Sequence, residues 1–332
     1  MKKRLVVAII GMGEHMLRAH VPYILSQNVV VSRYCDPKVK ESDLGEFFGN
    51  IIPEQSMLDE IYNDGSIDIV FIGSPDEFHS QQLLDCVRAG KHVFIEKPLA
   101  INLEGMKKVN IALDLAKEKG LIISSCHPRR FDPPIVELKK LLEEKRGFVW
   151  KFVGDIMEFK FSFLYHKVTD KWKKDRSLML DHFGHEIDLV RFLFNKTDSD
   201  TTITATRLVD SYARYEVIGE VDNIHFTFEG ERILEESKYM EFIKIRGRKG
   251  YLCLNINSGV IYFQTYSGKM HEMQISSKSY DDMFSVANED FFDAIRGDKK
   301  PYLDHYDLFI NNHSGIMLKQ YGVFNNLTMG KK

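Results

Sequence analysis

Leu5-Val6-Val7-Ala8-Ile9-Ile10-Gly11-Met12-Gly13 is an unbroken apolar run that ends in two closely spaced glycines, and its reading decides the fold. Continuous apolar character predicts a strand buried on both faces, as in a parallel sheet covered by helices. Glycines at the end of such a strand let the backbone turn closely past a diphosphate as the next helix starts. A purely structural turn would use the same residues. The third fingerprint position is off-pattern, because Met16 stands where glycine or alanine usually permits close helix–strand packing, and Glu14-His15 lengthens the turn. Met12, Glu14 and His15 join the two glycines as candidate cofactor contacts.

Working outward, a helix is expected over residues 16–26, then a second strand over 29–34 that ends at Cys35-Asp36. An acid there can accept hydrogen bonds from an adenosine ribose, which favours NAD over NADP; Lys38 would partly offset the repulsion of a 2′-phosphate, so NADP stays open. Asp36 could equally open an Asp-Pro turn. Strands over 67–72, 92–95 and 121–125 alternate with helices over 77–89 and 103–119, so residues 1–125 read as a doubly wound NAD(P)-binding domain. From 126 to 332 strands follow strands, over 148–164, 202–209, 223–228, 241–246, 251–256 and 260–265, with helices over 135–145, 178–194, 287–296 and 304–321. This predicts an α+β domain with a large, mostly antiparallel open sheet for substrate binding and oligomerisation, its last helix free to pack back on the first domain.

With 332 residues, 44% apolar and 28% charged, the chain has room for two cores and is neither disordered nor fibrous. A net charge of -3 gives no basic surface for nucleic acid, and no run approaches the ~18 apolar residues of a membrane span. The 4 cysteines are scattered, with no metal or disulfide spacing, so a reduced cytoplasmic protein without a metal is expected.

Ala89-Gly90-Lys91-His92-Val93-Phe94-Ile95-Glu96-Lys97-Pro98-Leu99-Ala100 places a lysine at the C-terminal end of a parallel strand, where open α/β sheets bind ligands. Pro98 restricts Lys97 to extended backbone, so the ammonium is aimed. In a partly dry cleft it could exchange a proton with a hydroxyl or carbonyl while hydride moves; a solvated Lys-Pro turn with Glu96 as ion-pair neighbour is the bland alternative. On the helix over 178–194, Asp181, His185 and Asp188 form a polar stripe beside the apolar stripe of Leu180, Phe183, Ile187, Val190 and Phe194. Asp181 could orient His185, and either His185 or Lys97 could transfer the proton. His182 and Glu186 are expected at the surface, and His20, His79 and His127 in packing or hydrogen-bonding roles, with His127 close to the nicotinamide.

Residues 89–100 resemble the AGKHV-x-x-EKPLA signature of the Gfo/Idh/MocA family, the glucose–fructose oxidoreductase and inositol dehydrogenase relatives. Ser74-Pro75 with His79 is similar to that family's loop and helix start after the third long strand, Arg130-Phe131 to its Arg-Phe pair, and Trp172 with Asp181, His185 and Asp188 to its Trp…Asp-x-x-x-His-x-x-Asp helix. The chain departs from it in the long glycine turn and in Arg176-Ser177-Leu178-Met179, where members often carry two glycines. The resemblance implies Lys97 as acid/base, with Asp181 and His185 holding the reacting carbinol. It also implies Ser74, Pro75, His79 and Glu96 near the cofactor, and pairing into dimers or tetramers through the C-terminal sheet.

The expected reaction is hydride transfer between NAD, or NADP, and a sugar, cyclitol or nucleotide sugar. His127, Arg130, Tyr165, Trp172 and Arg176 are candidate substrate contacts; Arg129, Arg130, Lys173, Lys174 and Arg176 could take an anionic group, and Tyr165 and Trp172 a ring. Two rivals are an NAD-dependent glycosidase with transient oxidation and a sugar or nucleotide sensor without turnover.

Overall fold

Six parallel strands, β1 (Leu5–Ile10), β2 (Val29–Cys35), β3 (Glu54–Gln55), β4 (Ile69–Ile72), β5 (His92–Ile95) and β6 (Ile123–Ser125), form one sheet in the order β3-β2-β1-β4-β5-β6. The structure, a computed structural model, describes residues 4–144, 146–165, 178–195, 201–210, 214–221, 223–232, 240–277, 280–321 and 327–329. The burial is as the apolar runs demand. Val7 to Ile10, Ile69 to Ile72 and Val93 to Ile95 are all buried, and each valine, isoleucine and phenylalanine among them contributes roughly 1.5–3 kcal/mol. The chain winds outward from β1 through β2 to β3, then crosses back to β4. The crevice of this doubly wound sheet therefore opens beyond the C-terminal ends of β1 and β4.

The single helix expected over 16–26 is two, Glu14–Ala19 and Val21–Ser26, meeting at His20. Pro22 is the cause: it lacks an N–H and fits only the first turn of a new helix. Later segments complete this core. Phe291 of helix Tyr280–Arg296 packs edge-on against Phe71 and Phe94, at centroid distances of 5.7 and 5.4 Å, and Asn312 Oδ1 accepts the Leu99 N–H at 2.6 Å. Tyr302 donates to Ser125 O at 2.6 Å.

Among the described residues a second sheet has nine strands: β7 (Ile156–Tyr165), β8 (Thr201–Asp210), β9 (Arg214–Val221), β10 (Ile224–Arg232), β11 (Met240–Gly247), β12 (Gly250–Asn255), β13 (Val260–Thr265), β14 (Met270–Gln274) and β15 (Leu327–Met329). Their order is β14-β13-β12-β11-β7-β10-β9-β8-β15, antiparallel except for the β7–β10 pair. Strict alternation along β9 and β11 buries one face and leaves the other open. The strand expected over 148–164 is corrected: Phe148–Phe152 is a helix, and β7 starts only at Ile156. Val149 and Phe152 are its buried positions, a helical spacing, and the Phe152 ring lies 5.7 Å from that of Phe263 on β13.

The chain divides into two compact units, Met1–Pro128 with Asp281–His313, and Arg129–Tyr280 with Ser314–Lys332. No helix among the described residues is long and apolar enough to cross a membrane.

Candidate active site

Gly11 leaves β1 with φ +85°, and a Cβ there would come within 2.4 Å of Ser74 N and 2.5 Å of the Gly73 carbonyl carbon. Only glycine permits this approach of the β1 and β4 ends. At Gly13, the next glycine, a Cβ would meet nothing within 4 Å, so the turn is tight on its inner side and open on its outer one. Those residues fit a dinucleotide: the cradle accepts only backbone, and the open side admits a diphosphate. Asp36 fastens the same turn. Its Oδ2 accepts the Met12 N–H at 2.8 Å and its Oδ1 the Lys38 N–H at 2.8 Å, so the acid makes the Asp-Pro turn and holds the glycine turn at once. The off-pattern Met16 is accommodated across from it, since its Cε lies only 2.6 Å from where a Cβ on Gly73 would be. The close contact that a small helix residue normally allows is here granted by a glycine on the β4 side.

Within residues 89–100 structural and chemical roles separate. Lys91 is buried, its ammonium donating to Asp64 O at 2.5 Å and Ile67 O at 2.9 Å, and burial pushes its pKa down. His92 Nδ1 accepts the Ile122 N–H at 2.9 Å, which ties β5 to the approach of β6; burial lowers its pKa too. His79 is a strut between two loops, its ring nitrogens 2.7 Å from Ser74 O and 2.7 Å from Pro98 O. It fixes the peptide that follows Lys97 against the loop that begins at Ser74. Lys97 itself is half-buried, two residues past β5, at the same edge of the sheet as Gly11 and Ser74. His127 is buried just after β6, and Tyr302 Oη accepts its N–H at 3.4 Å.

Glu96 turns inward. Its Oε1 lies 2.6 Å from His20 Nε2 and 3.2 Å from His15 Nε2, while Asn288 Nδ2 lies 3.1 Å from His20 Nδ1. Burial pushes this carboxyl up, but hydrogen bonds from the two histidines and their charge outweigh it and hold the group well below the usual carboxylate range. Beside it the buried Cys126 thiol is pushed well up, by burial first and then by the Glu96 charge, with Lys97 opposing. His20 and Asn288 are far apart in sequence, and no motif announced their meeting. The turn at Pro22 was the one available signal.

His185 lies half-buried on helix Leu178–Leu193, and the neighbours of that helix correct two expectations. His182 and Glu186 are buried: His182 stacks on Phe163 at 4.5 Å, and Glu186 Oε1 accepts from Tyr215 Oη at 2.5 Å. The helix lies on β9 and β10 on one side and on helix Pro133–Glu143 on another, so more than one stripe is covered. Burial raises the Glu186 pKa to about 8, with Tyr215 and Arg129 pulling down and Glu241 pushing up. The arginines expected to take an anionic substrate are also committed. Arg130 forks onto Asp188, with Nη2–Oδ1 at 2.6 Å and Nε–Oδ2 at 2.9 Å, and Arg129 pairs with the buried Glu241. Both guanidiniums serve the inside of this unit. Trp172 and Arg176 lie outside the described residues, with Lys173 and Lys174, as do the side chains of Tyr165 and Asp181.

A parallel sheet with a glycine turn at its switch point, an acid after the second strand and a lysine beyond the fifth define the class: a dinucleotide-binding α/β domain followed by a domain built on a large open sheet. Residues 5–127 match the Gfo/Idh/MocA family model, described as "Oxidoreductase family, NAD-binding Rossmann fold". The chain is similar to the NADP+-dependent scyllo-inositol 2-dehydrogenase of Bacillus subtilis, 29% identical over 178 residues, which is 52% of this chain and 45% of that one. It is also similar to the 1,5-anhydro-D-fructose reductase of Ensifer adhaerens, 28% identical over 148 residues, 42% of this chain and 41% of that one. These matches span less than half of each relative. Over nearly its full length the fold is that of the scyllo-inositol dehydrogenase of Lactobacillus casei, solved with NAD(H) and scyllo-inositol: TM-score 0.74, 19% identity, 98% of this chain and 99% of that one.

Proposed function

We propose that the protein is an NAD(P)-dependent oxidoreductase that interconverts an alcohol and a carbonyl on a sugar, cyclitol or nucleotide sugar. Lys97 acts as the acid/base, and His185 with Asp181 holds the reacting carbinol. The observation that carries this reading is the place of Lys97 at the sheet edge that also bears the Gly11 turn and Ser74. The relatives named for inositol and anhydrofructose support the substrate class.

Bound nicotinamide supplies the hydride acceptor in oxidation and the donor in reduction. Gly11, Met12, Gly13 and the following Glu14-His15 lie along the diphosphate, Asp36 toward the adenosine ribose, and Ser74-Pro75 beside the nicotinamide half. As the C–H bond gives up its hydride, Lys97 Nζ takes the hydroxyl proton; in reduction it returns a proton to the carbonyl oxygen. His79, gripping Pro98 O, keeps that lysine from swinging away. Such a positioned acid–base group contributes ~10²–10⁴-fold.

For assembly, we take the open face of the second sheet as the contact between copies. Ile218, Phe242 and Tyr262 are exposed there beside Lys244 and the Lys160–Glu229 pair, a mixture that suits a self-complementary interface.

The test is a spectrophotometric screen of sugars, cyclitols and nucleotide sugars with NAD and with NADP, run on the wild type and Lys97→Ala. Substrate-dependent NADH formation that Lys97→Ala lowers ~10²–10⁴-fold, with cofactor affinity nearly intact, is the expected result. A fully active Lys97→Ala overturns the lysine's role. Hydrolysis of a chromogenic glycoside without net NADH would replace the dehydrogenase with a glycosidase.

A further inference from the structure

His15, His20, Glu96 and Cys126 come from three separate stretches of the chain, yet their donor atoms all lie within 4.8 Å of one another. Both imidazoles present Nε2 to one and the same carboxylate oxygen, at 2.6 and 3.2 Å. Their rings stand edge to face, at 84° with centroids 5.6 Å apart, so they are not stacked. Two nitrogens, an oxygen and a sulfur converging in this way form a borderline-soft donor set, the kind that zinc and its neighbours in the first transition row take. We propose that these four residues form a tetrahedral site for a divalent transition ion, a function beyond the oxidoreductase reading that shares His15 and Glu96 with the proposed cofactor contacts.

Bonds of about 2.0–2.3 Å would set tetrahedral donors roughly 3.3–3.7 Å apart. The observed group needs only small side-chain shifts to reach that spacing; each neutral imidazole keeps its single proton on Nδ1 and turns the Nε2 lone pair to the ion, so neither ring loses a proton to solvent. Charge balances as well. Glu96 already carries a negative charge and the histidines bind as neutral rings, so loss of the Cys126 thiol proton leaves a site with no net charge around a divalent ion. The proton goes to solvent and a metal–sulfur bond forms.

The surroundings are those of a metal site. His20 Nδ1 has Asn288 Oδ1 at 3.4 Å, a partner that can orient the ring once Nε2 is on the ion. Phe284 stands edge-on to both imidazoles, 5.6 Å from His15 and 5.8 Å from His20, and Phe94 is 5.2 Å from His20, so three of the donors sit in a dry, aromatic shell. His15 is half exposed and supplies the entry path.

The experiment is a titration of the chelator-treated full chain with Co²⁺ alone, without cofactor or substrate, followed by absorbance and by pH. The expected result is a saturable single site with a thiolate-to-cobalt charge-transfer band and intense tetrahedral ligand-field bands, releasing about one proton per ion. Cys126→Ser should abolish the charge-transfer band. His15→Ala, on a half-exposed side chain, should weaken binding without disturbing the fold, and Asn288→Ala should weaken it on the order of 10–100-fold. No charge-transfer band in the wild type, a band that survives Cys126→Ser, or a weak octahedral spectrum indifferent to His15→Ala would each overturn the site.

Discussion

Tyr215 donates its phenolic hydrogen to Glu186 at 2.5 Å, both side chains being buried, and this bond joins β9 to the helix that carries His185. Burial, with Glu241 nearby, raises the Glu186 pKa from 4.5 to about 8, against the opposing pull of Tyr215 and Arg129. A folded-state pKa above the unfolded one means that the native protein holds a proton the unfolded chain has released. Stability is therefore fully present below pH 4.5 and falls as pH rises toward 8. Glu186→Gln keeps an acceptor for Tyr215 and removes the titration. Urea unfolding of the wild type should show a loss on the order of a few kcal/mol across that window, and the variant a flatter profile. Parallel profiles would show that Glu186 does not titrate there.

Arg130 and Asp188 make a second anchor for the same helix. Two guanidinium nitrogens meet the carboxylate, both groups are nearly inaccessible, and the guanidinium also lies 5.3 Å from the Phe192 ring centroid. Removing one partner of a buried pair strands the other, at a cost of about 3–5 kcal/mol. Arg130→Met should destabilise by that amount, and Arg130→Met with Asp188→Leu should recover most of it in a double-mutant cycle. A single variant within ~1 kcal/mol of wild type would exclude the anchoring role.

Asp36 links turn geometry to cofactor choice. Because its two oxygens hold Met12 N–H and Lys38 N–H, Asp36→Ser should loosen the glycine turn and at the same time remove the charge that repels a 2′-phosphate. NAD affinity should fall about tenfold, consistent with ~1.4 kcal/mol for a charge-assisted bond, and the NADP-to-NAD affinity ratio should rise. Cofactor titration by protein fluorescence reads both; an unchanged ratio would limit Asp36 to the turn.

The first sheet was legible because strands buried on both faces read as apolar runs and the glycines and Lys97 fall at their ends. The second domain was less so. β9 carries polar residues on its open face, and Phe148–Phe152 shares its composition with the strand that follows, so period and type were confounded there. At the candidate site, residues close to the motifs were found, whereas roles set by long-range partners were not. Nothing local shows that Glu186 meets Tyr215, that Arg130 is consumed by Asp188, or that Asn288 stands behind His20. Burial of a polar residue depends on how many neighbours cover a helix, and a helical stripe announces only one of them.

Met16 and Gly73 test whether the unusual glycine turn is a compensated pair. A Cβ on Gly73 would approach Met16 Cε to 2.6 Å, the flexible end of a long side chain, and Met16 Cβ only to 3.4 Å. Gly73→Ala should therefore destabilise modestly, by roughly 1–3 kcal/mol of overpacking, as Met16 is driven from a buried position. Met16→Ala alone should cost about 2–5 kcal/mol through the cavity it leaves. If the two residues share one space, Gly73→Ala combined with Met16→Ala should cost less than the sum, with a coupling of at least ~0.5 kcal/mol in thermal or urea unfolding. Strict additivity would mean that the helix start and the β4 end are packed independently. The small residue missing from the glycine turn would then have no counterpart across it.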